Sequence, residues 1–334
     1  MEVGILSTVG NTPLIELGKV FSPSHFRLMA KLEFLNPGGS MKDRPALTIL
    51  REGMRTGLIG PQTVVVESSS GNMGVGLAQA CSYYGLRFIC VVDPKTTTQN
   101  IRMIEAYGAE IDRVTEPDPV TGEFLQARLN RVAEIVATRK DAFWPNQYTN
   151  PHNPLAHHQT MHEVVTALDG QVDYLFCATS TCGTLRGCAE YVREHGLPTK
   201  IIAVDAVGSV IFGGQSAKRL VPGHGAAVRP GLFQECLACE CVHVTDIESV
   251  TGCRRLARSE AILAGGSSGA IITAIDHYRH KITSGAVCVA ILPDRGERYL
   301  DTIYSESWVR EHFGGISQLL DGSAAADARV TLAS

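Results

Sequence analysis

Along most of the chain, short apolar β-branched runs alternate with longer segments whose apolar residues recur at helical spacing. This is the pattern of a parallel sheet covered by helices on both faces, so the fold class is α/β. The predicted strands are 63–67, 87–93, 172–178, 201–205 and 287–293, nearly all apolar throughout, as central parallel strands should be. Predicted helices follow at 45–56, 74–84, 99–107, 122–138, 158–168, 185–195 and 270–280. Pro45, just after Asp43, is a first-turn residue. No repeat at a solenoid period is present. Residues 142–153 carry two prolines and three asparagines between helical segments, which places a domain junction there. From about Ser317 the chain is small, polar and alanine-rich, the composition of a disordered tail.

Composition narrows the function without naming it. The 334 residues are 44% hydrophobic and 19% charged, an ordinary globular balance whose length suits about two domains. A formal charge of −4 and the lack of a basic block argue against nucleic acid as a partner. No apolar run reaches the length of a membrane span and Met1 to Thr8 does not read as a leader, so a cytoplasmic protein is expected. Of the ten cysteines, Cys90, Cys177 and Cys288 lie inside strand-like runs and read as small buried hydrophobes. Cys236, Cys239 and Cys241, with His243 and Cys253, show only one clear ligand pair, and His158 and His162 lack the glutamate of a zinc protease helix. No metal site is expected.

Three segments share one design, a loop of Gly, Ser, Thr and Asn leading into a helix, which aims backbone N–H groups at an anion. They are Glu67–Gly74, Ser180–Thr184 and Gly265–Gly269. In an open α/β sheet such loops gather at the carboxyl ends of the strands, and more than one anion site points to a phosphorylated cofactor beside a carboxylate substrate. A dinucleotide fold is the rival, with Asp93 as the ribose acid, but Gly71, Gly74 and Gly76 are spaced G-x-x-G-x-G. No Walker lysine follows any of the loops. The remaining segment is Asn36-Pro37-Gly38-Gly39-Ser40-Met41-Lys42-Asp43-Arg44. It sets Lys42 between a strand-like run, 28–35, and a helix start beside Arg44, where a neutral amine able to form a Schiff base is favoured.

That segment resembles the N-P-x-x-S-x-K-D-R motif of the pyridoxal-phosphate β-synthases, the cysteine synthase and cystathionine β-synthase family with the tryptophan synthase β-subunit fold. Ser69–Gly74 resembles its T-S-G-N-T-G loop, Asn146-Gln147-Tyr148 its N-Q-F/Y segment and Gly266–Gly269 its G-x-S-S-G. The likeness runs from about Thr8 to Gly315 with every motif in family order. It implies two doubly wound α/β domains of fold type II. These are a smaller, mobile substrate-binding domain, 36–147, and a larger cofactor-binding domain, 148–316, with 1–35 packing on the larger and 317–334 as the tail. It also implies a homodimer.

By the same resemblance Lys42 holds pyridoxal 5'-phosphate, Asn72 meets its ring hydroxyl, Ser267 faces its ring nitrogen, and Ser180, Thr181, Cys182, Gly183 and Thr184 bind its phosphate. Ser69, Ser70, Met73 and Gln147 would take the substrate carboxylate. One departure stands out, since the family's G-T-G-G-T phosphate loop reads Ser180-Thr181-Cys182-Gly183-Thr184 here. With 204–213 and 292–300, this is similar to a narrower branch, the N-(2-amino-2-carboxyethyl)-L-glutamate synthases of siderophore 2,3-diaminopropionate biosynthesis. Those enzymes join O-phospho-L-serine to L-glutamate, and the extended resemblance puts Arg128, Tyr148 and Ser180 around the leaving phosphate. The alternative is a cysteine synthase that uses O-acetylserine or O-phosphoserine with sulfide.

Overall fold

The computed structural model describes residues 3–235, 237–314 and 330–332. In chain order the strands are β1 (Leu14–Glu16), β2 (Arg27–Leu32), β3 (Val64–Ser68), β4 (Arg87–Val92), β5 (Glu110–Arg113), β6 (Ala142–Phe143), β7 (Tyr174–Ala178), β8 (Lys200–Ala206), β9 (Glu240–Val244), β10 (Val287–Leu292) and β11 (Val330–Leu332). The helices are α1 (Asp43–Arg55), α2 (Asn72–Tyr84), α3 (Thr98–Ala106), α4 (Phe124–Thr138), α5 (His152–Ala167), α6 (Gly183–Glu194), α7 (Asp246–Glu260), α8 (Gly266–Tyr278) and α9 (Glu306–Phe313). The described residues divide into two compact units, one built from 3–9 and 36–156, the other from 10–35 and the described residues from 157 onward. The division falls inside α5.

The first unit has a four-stranded sheet in the order β5-β4-β3-β6, parallel throughout. Alternate residues of β3 and β4 feed opposite faces, which is why these strands are apolar at nearly every position. Val65, Phe88, Cys90 and Val92 pack with α1 and α2, whereas Val64, Val66, Ile89 and Val91 pack with Val132 and Ile135 of α4.

The second unit has a seven-stranded sheet in the order β1-β2-β10-β7-β8-β9-β11. Its five central strands are parallel, and the short outer strands β1 and β11 run antiparallel to their neighbours. One face packs on the apolar side of α8, including Ile271, Ile272 and Ile275, all fully buried. Of the expected tail, 317–334, only Val330–Leu332 is described, and it pairs with β9; the rest lies outside the described residues.

Helices α7 and α8 approach unusually closely. A Cβ on Gly269 would stand 2.0 Å from the Ser249 carbonyl oxygen and 2.5 Å from Cys253 Sγ, and one on Gly252 would stand 2.1 Å from the Gly269 carbonyl oxygen. Both obstacles include backbone, so they cannot move aside as a side chain could. Gly269→Ala is therefore expected to cost about 3 kcal/mol of stability, an overpacking penalty read as a lower urea midpoint at unchanged m. No described helix is long and apolar enough to cross a membrane.

Candidate active site

In the first unit the Asn36–Arg44 segment is a turn locked by its own polar groups. Gly39 N–H donates to the Asn36 carbonyl (2.8 Å), Gly38 N–H to Asp43 Oδ2 (2.5 Å) and Lys42 N–H to Ser40 Oγ (3.2 Å). Asn36, Ser40 and Asp43 are buried, so the turn has little freedom, and Lys42 stands partly exposed at the cap of α1. Gly76 lets α2 lie against this turn, because a Cβ there would come 3.2 Å from both the Lys42 carbonyl oxygen and Ala46 Cβ. The lysine and the start of α2 are thereby held on one scaffold.

The 69–74 loop runs from the end of β3 into α2. Ser69 is engaged by the loop itself: its N–H donates to the Val91 carbonyl (3.2 Å), and its hydroxyl accepts from Gly74 N–H (2.9 Å) and Gly71 N–H (3.3 Å). Asn100 Nδ2 holds the Ser70 carbonyl (3.1 Å). Asn72 and Met73 open α2, where first-turn N–H groups and the helix dipole favour a carboxylate or another anion.

Beneath the loop lies Glu67, fully buried although it sits on the otherwise apolar β3. Its Oε1 accepts from Ser68 N–H (2.8 Å) and Trp144 Nε1 (3.2 Å), and its Oε2 accepts from Gln147 N–H (3.1 Å). Burial dominates and raises the carboxyl to about 7, against these three donors and the charge of Arg128. Gln147 is fixed twice more, by its own Nε2 donating to the Ser68 carbonyl (3.0 Å) and by Asn153 Nδ2 donating to its carbonyl (2.7 Å).

Arg128 projects from α4 into the same unit and is 6% exposed, although an arginine on a helix is more often solvent-facing. Its Nε lies 3.0 Å from Asp93 Oδ2 in a buried ion pair, while its Nη1 is buried without a hydrogen-bond partner among the described residues. Tyr148 lies within electrostatic reach of Arg128, Glu67 and Asp93, and burial pushes its phenol up from 10.0. Asp93 also caps the turn after β4 through Lys95 N–H (2.8 Å). That engagement leaves it ill suited to the ribose role of a dinucleotide site.

In the second unit, Ser180–Thr184 connects β7 to α6. Cys182 holds the left-handed conformation, φ 65°, in which the family's motif has glycine. Its side chain packs with Ile211 and Leu232, which offsets the cost of that backbone. Thr181 and Thr184 are buried at the mouth of α6, and Thr184 Oγ1 meets His157 Nε2 (3.3 Å). Ser267 begins α8, buried below Gly223, on which a Cβ would come within 3.3 Å of its hydroxyl. The neighbouring carboxylate, Asp294, accepts from Tyr299 OH (2.5 Å). Asp205, at the end of β8, accepts from Ala206 N–H (2.9 Å), and burial raises its carboxyl.

These groups suit a phosphorylated pyridine cofactor. The 180–184 loop offers hydroxyls and N–H groups at a helix start for a phosphate, Ser268 Oγ is buried without a partner among the described residues, and Ser267 is a neutral hydroxyl. No group of three or more His, Cys, Asp or Glu able to hold a metal occurs among the described residues. Cys236 lies outside them, Cys253 donates to the Gly265 carbonyl (3.2 Å), and His162 meets Tyr191 OH (3.0 Å).

The residues that sequence reasoning left without a role are Glu67, Asp93 as the partner of Arg128, and Trp144. A lone acid inside the apolar run Val64-Val65-Val66-Glu67 was the legible signal for the first.

Comparison with known proteins agrees with this chemistry. The family "Pyridoxal-phosphate dependent enzyme" matches residues 5–294. Among solved structures, the O-acetylserine dependent cystathionine beta-synthase from Helicobacter pylori is 29% identical with a TM-score of 0.85, over 91% of this chain and 99% of that one. A hydrogen sulfide-producing enzyme from Fusobacterium nucleatum is 31% identical with a TM-score of 0.83, over 90% and 100%. O-Acetyl Serine Sulfhydrylase isoform 3 from Entamoeba histolytica is 28% identical with a TM-score of 0.85, over 96% of each. The α/β architecture is thus that of fold type II, and this chain belongs to the pyridoxal-phosphate dependent enzymes, as a β-replacement enzyme of the cysteine synthase family.

Proposed function

We propose that the protein, as a cytoplasmic homodimer, condenses O-phospho-L-serine with L-glutamate to give N-(2-amino-2-carboxyethyl)-L-glutamate and phosphate, a step toward 2,3-diaminopropionate for a siderophore. The observation that carries the phosphate part is Arg128. A buried guanidinium with one nitrogen unpartnered is a costly arrangement that an anionic ligand relieves, and a dianionic leaving group repays it better than neutral acetyl. The glutamate part is supported by the resemblance of 180–184, 204–213 and 292–300 to the diaminopropionate branch.

Lys42 would hold the cofactor covalently, Asn72 and Ser267 would meet its ring, and Ser180 to Thr184 would take its phosphate. When bound, the cofactor supplies the electron sink that lets a proton leave the substrate Cα and a group leave Cβ. Met73, Ser70 and Gln147, on the scaffold built by Ser69, hold the substrate carboxylate. Lys42 would serve as the base that removes the substrate Cα proton and returns one at the end. Arg128, Tyr148 and Ser180 balance charge on the departing phosphate, and the amine of glutamate takes its place on Cβ. Kinetics are accordingly ping-pong.

The test is to incubate the holoenzyme with O-phospho-L-serine, add L-glutamate or sulfide separately, and identify products by mass. N-(2-amino-2-carboxyethyl)-L-glutamate is the expected product. Turnover with sulfide alone, giving cysteine, would overturn the glutamate reading and make the protein a cysteine synthase.

A further inference from the structure

We propose that Glu67 is a positioning residue for the amino-acid substrate: its buried carboxylate ties the 144–148 segment to the end of β3 and so sets where Gln147 and the 69–73 turn present their donors to the substrate carboxylate. The inference deepens the reading above, since it rests on Gln147 and the turn being the carboxylate site.

The geometry is that of a three-way tie. One side chain joins the N–H of Ser68 to the indole of Trp144 and the N–H of Gln147, bridging two segments about eighty residues apart in sequence. Gln147 also donates to the Ser68 carbonyl, so the two segments are stitched twice, once through Glu67 and once directly. No apolar residue on β3 could replace this, because the donors would be left buried and unsatisfied.

The two carboxylate oxygens are not equivalent. Oε1 accepts from two donors and Oε2 from one, so a proton arriving on Glu67 costs fewest hydrogen bonds on Oε2 and there confronts Gln147 N–H. Acidification therefore loosens Gln147 first. The charged and titratable groups facing Glu67 are Arg128 from α4, Cys90 from β4 and Tyr148 from its own segment's partner loop. Burial holds Cys90 at about 12 and keeps Tyr148 above its ordinary range, so neither ionises near neutrality. Glu67, at about 7, is the group in this cluster that changes charge there.

The probe is L-serine, which has no side chain that titrates between pH 5.5 and 8.5, added to the holoenzyme while the cofactor's absorbance reports its binding. Between pH 8 and pH 6 wild-type affinity is expected to fall about tenfold more than protonation of the serine amine alone produces, the loss of about one hydrogen bond. The serine amine titrates alike in every variant, so the comparison is a ratio: Glu67→Gln replaces an acceptor with a donor and should bind about tenfold more weakly than wild type at pH 8 and about equally at pH 6, once wild-type Glu67 is itself protonated. Trp144→Phe provides a check that does not depend on that variant folding. With one donor to the carboxylate gone, the anion is less favoured and the midpoint of the pH profile moves upward. A purely structural role would lower the melting temperature and leave the midpoint in place. An unmoved midpoint in Trp144→Phe, or a ratio of wild-type to Glu67→Gln affinity that is flat from pH 6 to 8, overturns the proposal. Failure of the lysine assignment is a separate result, read from the Lys42 variant's own absorbance.

Discussion

Lys42→Ala is expected to abolish the violet absorbance of the lysine-linked cofactor and to lower turnover by about 10³-fold or more, since both the anchor and the base that moves the Cα proton are lost. The fold should survive. The turn that carries Lys42 is held by Asn36, Ser40 and Asp43 through contacts to backbone. Spectroscopy of the purified variant, with circular dichroism to confirm the fold, separates the two effects. A variant that kept both the absorbance and turnover would show that another lysine serves as the anchor.

The second large effect is a change in leaving-group preference. Arg128→Lys keeps a positive charge beside Asp93 but loses the planar fork, and it should lower kcat/KM for O-phospho-L-serine by about 10²-fold. The rate with O-acetyl-L-serine should change by less than about threefold, because a neutral acetyl group makes no charge-assisted bond there. Lysine is chosen in place of alanine for a reason given by the ion pair. Arg128→Ala would leave Asp93 buried and unpaired, with a stability loss of about 3–5 kcal/mol that would obscure any effect on substrate. The ratio of the two kcat/KM values is the measurement. An equal fall with both substrates would place Arg128 in the support of the unit and away from the leaving group.

Both predictions depend on features that were unequally visible in the amino-acid order. The lysine turn was legible because its chemistry is local: an Asn-Pro-Gly-Gly turn, a lysine and an acid within one helical turn of each other bond among themselves. Strand positions were legible for a similar reason. Residues buried on both faces must be apolar throughout, so 63–67 in sequence becomes Val64–Ser68 in space, and 287–293 becomes Val287–Leu292. The segment 28–35 was read too long, because the chain leaves the sheet after Leu32 into a single turn, Glu33–Leu35.

In the second unit β1, β9, β11, α7 and α9 escaped the pattern, and β9 and α7 show why. The cysteines and His243 there drew attention as candidate ligands, and α7 is too polar to show a strong apolar stripe. Its signal was at the start, where Thr245 and Glu248 form a capping box. Arg128 could also have been read differently, since Arg128, Val132 and Ile135 follow the i, i+4, i+7 spacing of one helix face. Burial of Val132 and Ile135 against the sheet carries the arginine inward with them.

The sequence by itself determined the α/β class and, through its ordered motifs, the pyridoxal-phosphate dependent family, because each depends on residues close together in the chain. The tertiary structure decided which of the remaining polar groups are buried and with whom. The pairing of Arg128 with Asp93 and the tie of Glu67 to Ser68, Trp144 and Gln147 join segments tens of residues apart. Their charge and protonation follow from desolvation, which is a property of the packed core and is written in no single stretch of sequence.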